Sequence, residues 1–212
     1  MDNKKLIAGF GYQEGRISSW DGKRTYTQAV PQMAKHCCDN GVDEILVYDW
    51  SVTDEDHEAA IAVIKEVCRE ADAPVIAGGR VKRMEDVKKY LYAGASAVFL
   101  DMSKEENTDM IKEASDRFGK EKIYAYLPTD EYIDSVKDYE AAGASVMLLN
   151  TAGSVPSLLE MASISDSEAS FLFFLQAKDD AKDTAESLKN AFGCGNICGA
   201  VLPLQKITWI LP

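Results

Sequence analysis

Positive charge is scarce in this chain. Its 212 residues carry 23 Lys and Arg against 35 Asp and Glu, a formal net charge of -12. It therefore lacks the clustered basic surface that nucleic acid or an anionic membrane requires of a partner. Long apolar runs are missing too. None approaches the roughly twenty residues of a membrane span, and Met1-Asp2-Asn3-Lys4-Lys5 leads into a strand-like run without a secretory pattern. A cytoplasmic protein with neither a nucleic-acid nor a membrane partner is the expectation. Histidine is limited to His36 and His57, both in polar, helix-like segments, where a surface position is expected rather than a catalytic one. The cysteines, Cys37, Cys38, Cys68, Cys194 and Cys198, are odd in number and scattered, which suits reduced thiols better than a disulfide framework. Cys194 and Cys198 are four apart but have no second Cys/His pair at metal-ligand spacing, so no metal is expected, and no cofactor either. Nucleotide-binding, dinucleotide and nucleophile-elbow fingerprints are all missing.

What the chain does have is a repeated device. Ala93-Gly94-Ala95-Ser96-Ala97-Val98-Phe99-Leu100-Asp101 returns almost letter for letter at Ala142-Gly143-Ala144-Ser145-Val146-Met147-Leu148-Leu149-Asn150, and more loosely from Gly41 to Asp49. Each copy reads as a glycine ending a helix in a left-handed conformation, a small residue at the turn, an apolar run and a polar tip. The apolar runs do not alternate with polar residues, as expected for strands covered on both faces. Helical patterns lie between the copies, so the chain reads as a parallel α/β fold.

In order, strands are expected at residues 5–12, 44–50, 74–77, 97–101, 123–127, 146–150, 170–175 and 197–201. A turn and return over Gln13-Glu14-Gly15-Arg16-Ile17 follows the first. Helices are expected at residues 30–40, from the Thr53 cap through an apolar face of Ala60, Val63, Ile64 and Val67, and at 84–92, 108–118, 130–141, 156–163 and 178–192. Eight strands with helices between them predict one short (β/α)8 TIM barrel over 1–212, its last helix reduced or missing, with an open doubly wound sheet as the alternative. The apolar tail Ile207-Thr208-Trp209-Ile210-Leu211 then calls for cover, from a second subunit or from a further domain.

In such barrels chemistry sits at the carboxyl tips of the strands. Gly78 and Gly79 allow close backbone approach and, with Arg80, form a candidate phosphate site; a plain tight turn is the other reading. Asp49 and Asp101 are candidate catalytic acids for proton transfer. Against that stands the reading that strand-end acids cap helices or bond their own loops, with Arg80 neutralising the pair.

Leu6-Ile7-Ala8-Gly9-Phe10-Gly11-Tyr12-Gln13-Glu14-Gly15-Arg16-Ile17, Gly41-Val42-Asp43-Glu44-Ile45-Leu46-Val47-Tyr48-Asp49 and Pro74-Val75-Ile76-Ala77-Gly78-Gly79 together resemble the first three strands of the histidine-biosynthesis barrels. The cyclase subunit of imidazole glycerol phosphate synthase is the best match in kind, with the phosphoribosyl-formimino isomerase as its sister. The resemblance runs through Asn150 and beyond that by layout only. It implies a (β/α)8 barrel with a phosphate site on each side of its mouth and catalytic aspartates ending strands one and five. Here those positions are Gly11 and Leu127, which cannot exchange protons. The turn after strand seven reads Leu175-Gln176-Ala177-Lys178, and strand eight ends at Leu202-Pro203, so the second phosphate site is missing; Asp49 and Gly78-Gly79 match. The resemblance thus implies a barrel that binds a phosphorylated ribonucleotide without the acid/base chemistry, as a binding or scaffolding domain. The alternative is an active cyclase or isomerase using Asp49 and Asp101. A similar barrel leads a longer chain carrying phosphoribosyl-AMP cyclohydrolase and phosphoribosyl-ATP pyrophosphohydrolase; the hydrolase motifs are not among these residues.

Overall fold

The computed structural model describes residues 4–150, 164, 166–175, 189 and 196–203. Eight parallel strands close into a barrel: β1 (Lys5–Gln13), β4 (Glu44–Asp49), β5 (Val75–Gly78), β6 (Ala97–Asp101), β7 (Ile123–Leu127), β8 (Val146–Leu149), β9 (Ser170–Phe174) and β10 (Ile197–Pro203). They pair in sequence order and β10 returns to β1, with β2 (Arg16–Ser18) and β3 (Thr25–Tyr26) added beside β1. That return pairing decides for the closed barrel over the open sheet. The apolar strands are buried along nearly their whole length, as their lack of alternation requires.

The chain divides into two compact units, one containing Leu6–Val98 and the other Phe99–Val201 with Met1–Lys5. In the first unit β1 turns back through Glu14 (φ 48) and Gly15 (φ 78) to pair antiparallel with β2, Gln13 opposite Arg16. Two consecutive positive φ values are what a two-residue hairpin turn needs, and Gly15 supplies one of them without strain. Helix α1 (Val30–Asp39) is followed by Gly41 at φ 84. In α2 (Asp54–Glu70) the Thr53 hydroxyl accepts from Asp56 N–H at 3.1 Å, and three acids fill the first turn, where the macrodipole favours them. Helix α3 (Met84–Ala93) ends on Gly94 at φ 110.

The second unit repeats the device. Helix α4 (Glu105–Phe118) starts earlier than its apolar periodicity predicts, because Asn107 Nδ2 donates to Asp101 O at 2.9 Å and ties the first turn to the strand tip. The single helix predicted for residues 130–141 is instead a 3-10 turn, Asp130–Ser135, followed by α5 (Val136–Ala141). Gly143, like Gly94, sits at φ 110. The helices predicted at 156–163 and 178–192, most of the turn after strand seven, and the Ile207–Leu211 tail lie outside the described residues.

Among the described cysteines Cys37, Cys38 and Cys68 are free thiols, and Cys198 Sγ donates to Phe171 O at 3.4 Å. Burial pushes the Cys37 thiol up to about 12 and that of Cys68 to about 11, so both stay protonated and unreactive at neutral pH. No described helix is long and apolar enough to cross a membrane.

Candidate functional site

Strand β4 delivers Tyr48 and Asp49 to its carboxyl tip, and Trp50 follows, its N–H bonded to Tyr12 O at 3.0 Å. The Tyr48 and Trp50 rings stack with centroids 4.1 Å apart, Trp20 sets its edge on Tyr48 at 5.3 Å, and Trp50 Nε1 donates to Trp20 O at 3.2 Å. Three glycines make room for this group. A β-carbon on Gly11 would run into Ser18 Oγ, Trp50 Cδ1 at 2.8 Å and the Ser19 carbonyl at 2.9 Å. One on Gly22 would press on the Trp50 ring at 3.2 Å, and one on Gly79 would lie 2.5 Å from the Tyr48 ring. The first unit therefore fills the space beside the β1 tip with its own aromatic side chains.

Asp49 is buried, and each of its oxygens is in use. Oδ1 accepts from Ser51 N–H at 2.9 Å; Oδ2 accepts from Tyr90 OH at 2.8 Å and faces His57 Nδ1 at 2.7 Å. His57 Nε2 points in turn at Asp86 Oδ1, 3.6 Å away. Asp86 Oδ2 accepts the N–H groups of Lys82 and Arg83 at 3.1 and 3.2 Å, closing the start of α3. Burial, with Asp49 alongside, holds the Tyr90 hydroxyl well above the usual tyrosine range, so it remains a donor.

His57 corrects the sequence reading: it is 1% exposed, not a surface residue, whereas His36 is exposed as expected. The signal was present in the spacing. His57 lies three, seven and ten residues before Ala60, Ile64 and Val67, the buried face of α2. Asp86 and Tyr90, one turn apart on the buried face of α3, were not singled out from the sequence.

Gly78 ends β5 and Gly79 turns at φ 103. Arg80 is 4% exposed, and its Nη2 donates to Asp54 Oδ1 at 2.5 Å and weakly to Val52 O at 3.5 Å. It pulls the Asp54 carboxyl below its usual range. The ion pair of Arg80 is therefore with the first turn of α2, rather than with the strand-tip acids it was expected to neutralise.

Asp101, in the other unit, uses Oδ1 to accept from Ser103 N–H at 3.0 Å and Ser103 Oγ at 2.7 Å. Leu127 is wholly buried, and Asn150 Nδ2 donates to Tyr126 OH at 2.8 Å. Among the described residues no cluster of three His, Cys, Asp or Glu side chains could hold a metal.

A closed barrel with polar residues at its strand tips defines the (β/α)8 class. Within that class, residues 14–139 match the model of the histidine biosynthesis protein family, and the chain belongs to that family. The imidazole glycerol phosphate synthase subunit HisF of Staphylococcus aureus strain Newman is 30% identical over 137 residues, 63% of this chain and 53% of that protein. The same subunit from strains USA300 and COL matches to the same extent. The chain spans about half the length of these curated relatives.

Proposed function

We propose that this chain is a histidine-pathway barrel that binds a phosphorylated ribonucleotide metabolite without transforming it, and so serves as a binding or scaffolding domain. The observation that carries the loss of chemistry is the packing at Gly11. The family resemblance assigns an acid there, and the space such a side chain needs is taken by Ser18, Trp50 and a backbone carbonyl. Leu127, at the other assigned position, is buried and apolar. Neither retained acid stands in for them, since Asp49 is committed to Ser51, Tyr90 and His57, and Asp101 to Ser103.

The grip on phosphate rests on Gly78, Gly79 and Arg80. The glycines permit close backbone approach, and Arg80 brings a guanidinium that reaches phosphate by exchanging its Asp54 partner, a carboxylate 76% exposed. In this reading the barrel works beside a partner protein, in keeping with the relatives being named as a subunit.

A thermal-shift titration with a phosphoribosyl aminoimidazole carboxamide ribonucleotide tests the proposal, with inorganic phosphate as control. At about a hundred times its dissociation constant the ligand stabilises the fold by about 2.7 kcal/mol, a shift of several degrees. A shift with the ribonucleotide and no product on prolonged incubation is the expected result. Cyclase or isomerase turnover overturns the loss of catalysis, and the lack of any shift overturns the binding role.

A further inference from the structure

The polar group behind Asp49 has a charge problem that its geometry resolves. Asp49, His57, Asp86 and Tyr90 are all 1% exposed or less. Two carboxylates removed from water this completely require compensating positive charge. Among the described residues, His57 is the one basic group within 4.0 Å of the Asp49 carboxylate. Tyr90 OH already donates to Asp49 Oδ2, and a carboxylate accepts only, so His57 Nδ1 must carry a proton toward it. That leaves His57 Nε2 and Asp86 Oδ1 facing each other across 3.6 Å, both buried and both without a hydrogen-bond partner. A neutral ring would turn its lone pair on an anion; a second ring proton turns the same contact into an attraction.

We propose that His57 is held as an imidazolium cation between Asp49 and Asp86, and that this buried ion triad is a pH-sensitive clamp fastening α2 and α3 to the tip of β4. The other charged groups around it leave the clamp dependent on that cation. From α3 and its cap, Lys89 Nζ and Arg83 Nε reach Asp86 Oδ1 at 3.9 and 3.6 Å but not Asp49. On α2 itself, Glu58 is engaged by Lys89. Arg80 is paired with Asp54. The clamp is complete while the ring holds both protons, and it weakens as rising pH removes the second.

The test is nitrogen NMR of the intact protein labelled with 15N in its histidine rings. At a pH about 1.5 units above the ~6.5 of an ordinary histidine, His57 is expected to show two protonated ring nitrogens. One bare nitrogen on His57 there overturns the proposal. Asp86→Asn keeps an oxygen for the Lys82 and Arg83 N–H groups while removing the charge, and is expected to lower the pH at which His57 gives up its second proton. An unchanged titration in that variant also overturns it. His57→Gln is expected to flatten the fall in melting temperature with rising pH; should it fail to fold, the wild-type spectra and Asp86→Asn still decide.

Discussion

Asp49 and Asp101 end strands in the same way, each a buried acid after an apolar run, yet the two are wired differently. Asp101 accepts from the backbone and hydroxyl of Ser103, two residues on, a bond that any strand-end acid makes with its own loop. Asp49 makes the same local bond to Ser51 and adds Tyr90, forty-one residues away, and His57, eight away. The first kind of contact shapes a turn; the second fixes helices to a strand. Burial alone does not distinguish the two acids, at 1% and 5% exposed. Their partners do.

Replacing each acid by Ala breaks the comparison most directly. Asp49→Ala strands His57 and the Tyr90 hydroxyl and is expected to cost about 3–5 kcal/mol in urea unfolding. Asp101→Ala removes the two bonds to Ser103 and is expected to cost about 1–2 kcal/mol; equal losses would refute the distinction. Gly11→Asp, which places the family's acid where the resemblance assigns it, is expected to destabilise by about 3 kcal/mol through overpacking and a buried charge, and to yield no turnover. Tyr90→Phe removes one bond to a charged acceptor and should cost about 2 kcal/mol, with little loss of packing. Gly94→Ala and Gly143→Ala force a side chain into left-handed backbone and are expected to cost about 1 kcal/mol or more each. The penalty should be similar in the two units, since the added carbon meets Cys68 Cβ at 3.0 Å in one and Ser115 Cβ at 2.9 Å in the other. Thr53→Ala, which loses the α2 cap, should lower stability by about 1 kcal/mol and leave the β6 tip untouched.

Much of the barrel was legible before any coordinates. The glycines at 41, 94 and 143 announced helix ends and take φ 84, 110 and 110, and continuous apolar runs announced strands covered on both faces. Gln13-Glu14-Gly15-Arg16 announced the hairpin. The site was legible only as a set of tips. His57 was overlooked because a polar side chain on a helix is ordinarily solvated, and its burial, like that of Asp86 and Tyr90, depends on a partner supplied by another element.

Among the described residues the sequence by itself determined the order of the eight barrel strands, the helix ends before Gly41, Gly94 and Gly143, and the absence of an acid at positions 11 and 127. Periodicity and glycine conformation act over a few residues, so one stretch of chain is enough to specify them. Only the tertiary structure decided that the sheet closes, that Ser18 and Trp50 fill the space beside Gly11, that Arg80 pairs with Asp54, and that Asp49 is buried against His57 and Tyr90. Those outcomes depend on groups from separate elements meeting at hydrogen-bond distance out of water, where an unpaired charge is too costly to leave and a side chain too large for its space cannot enter.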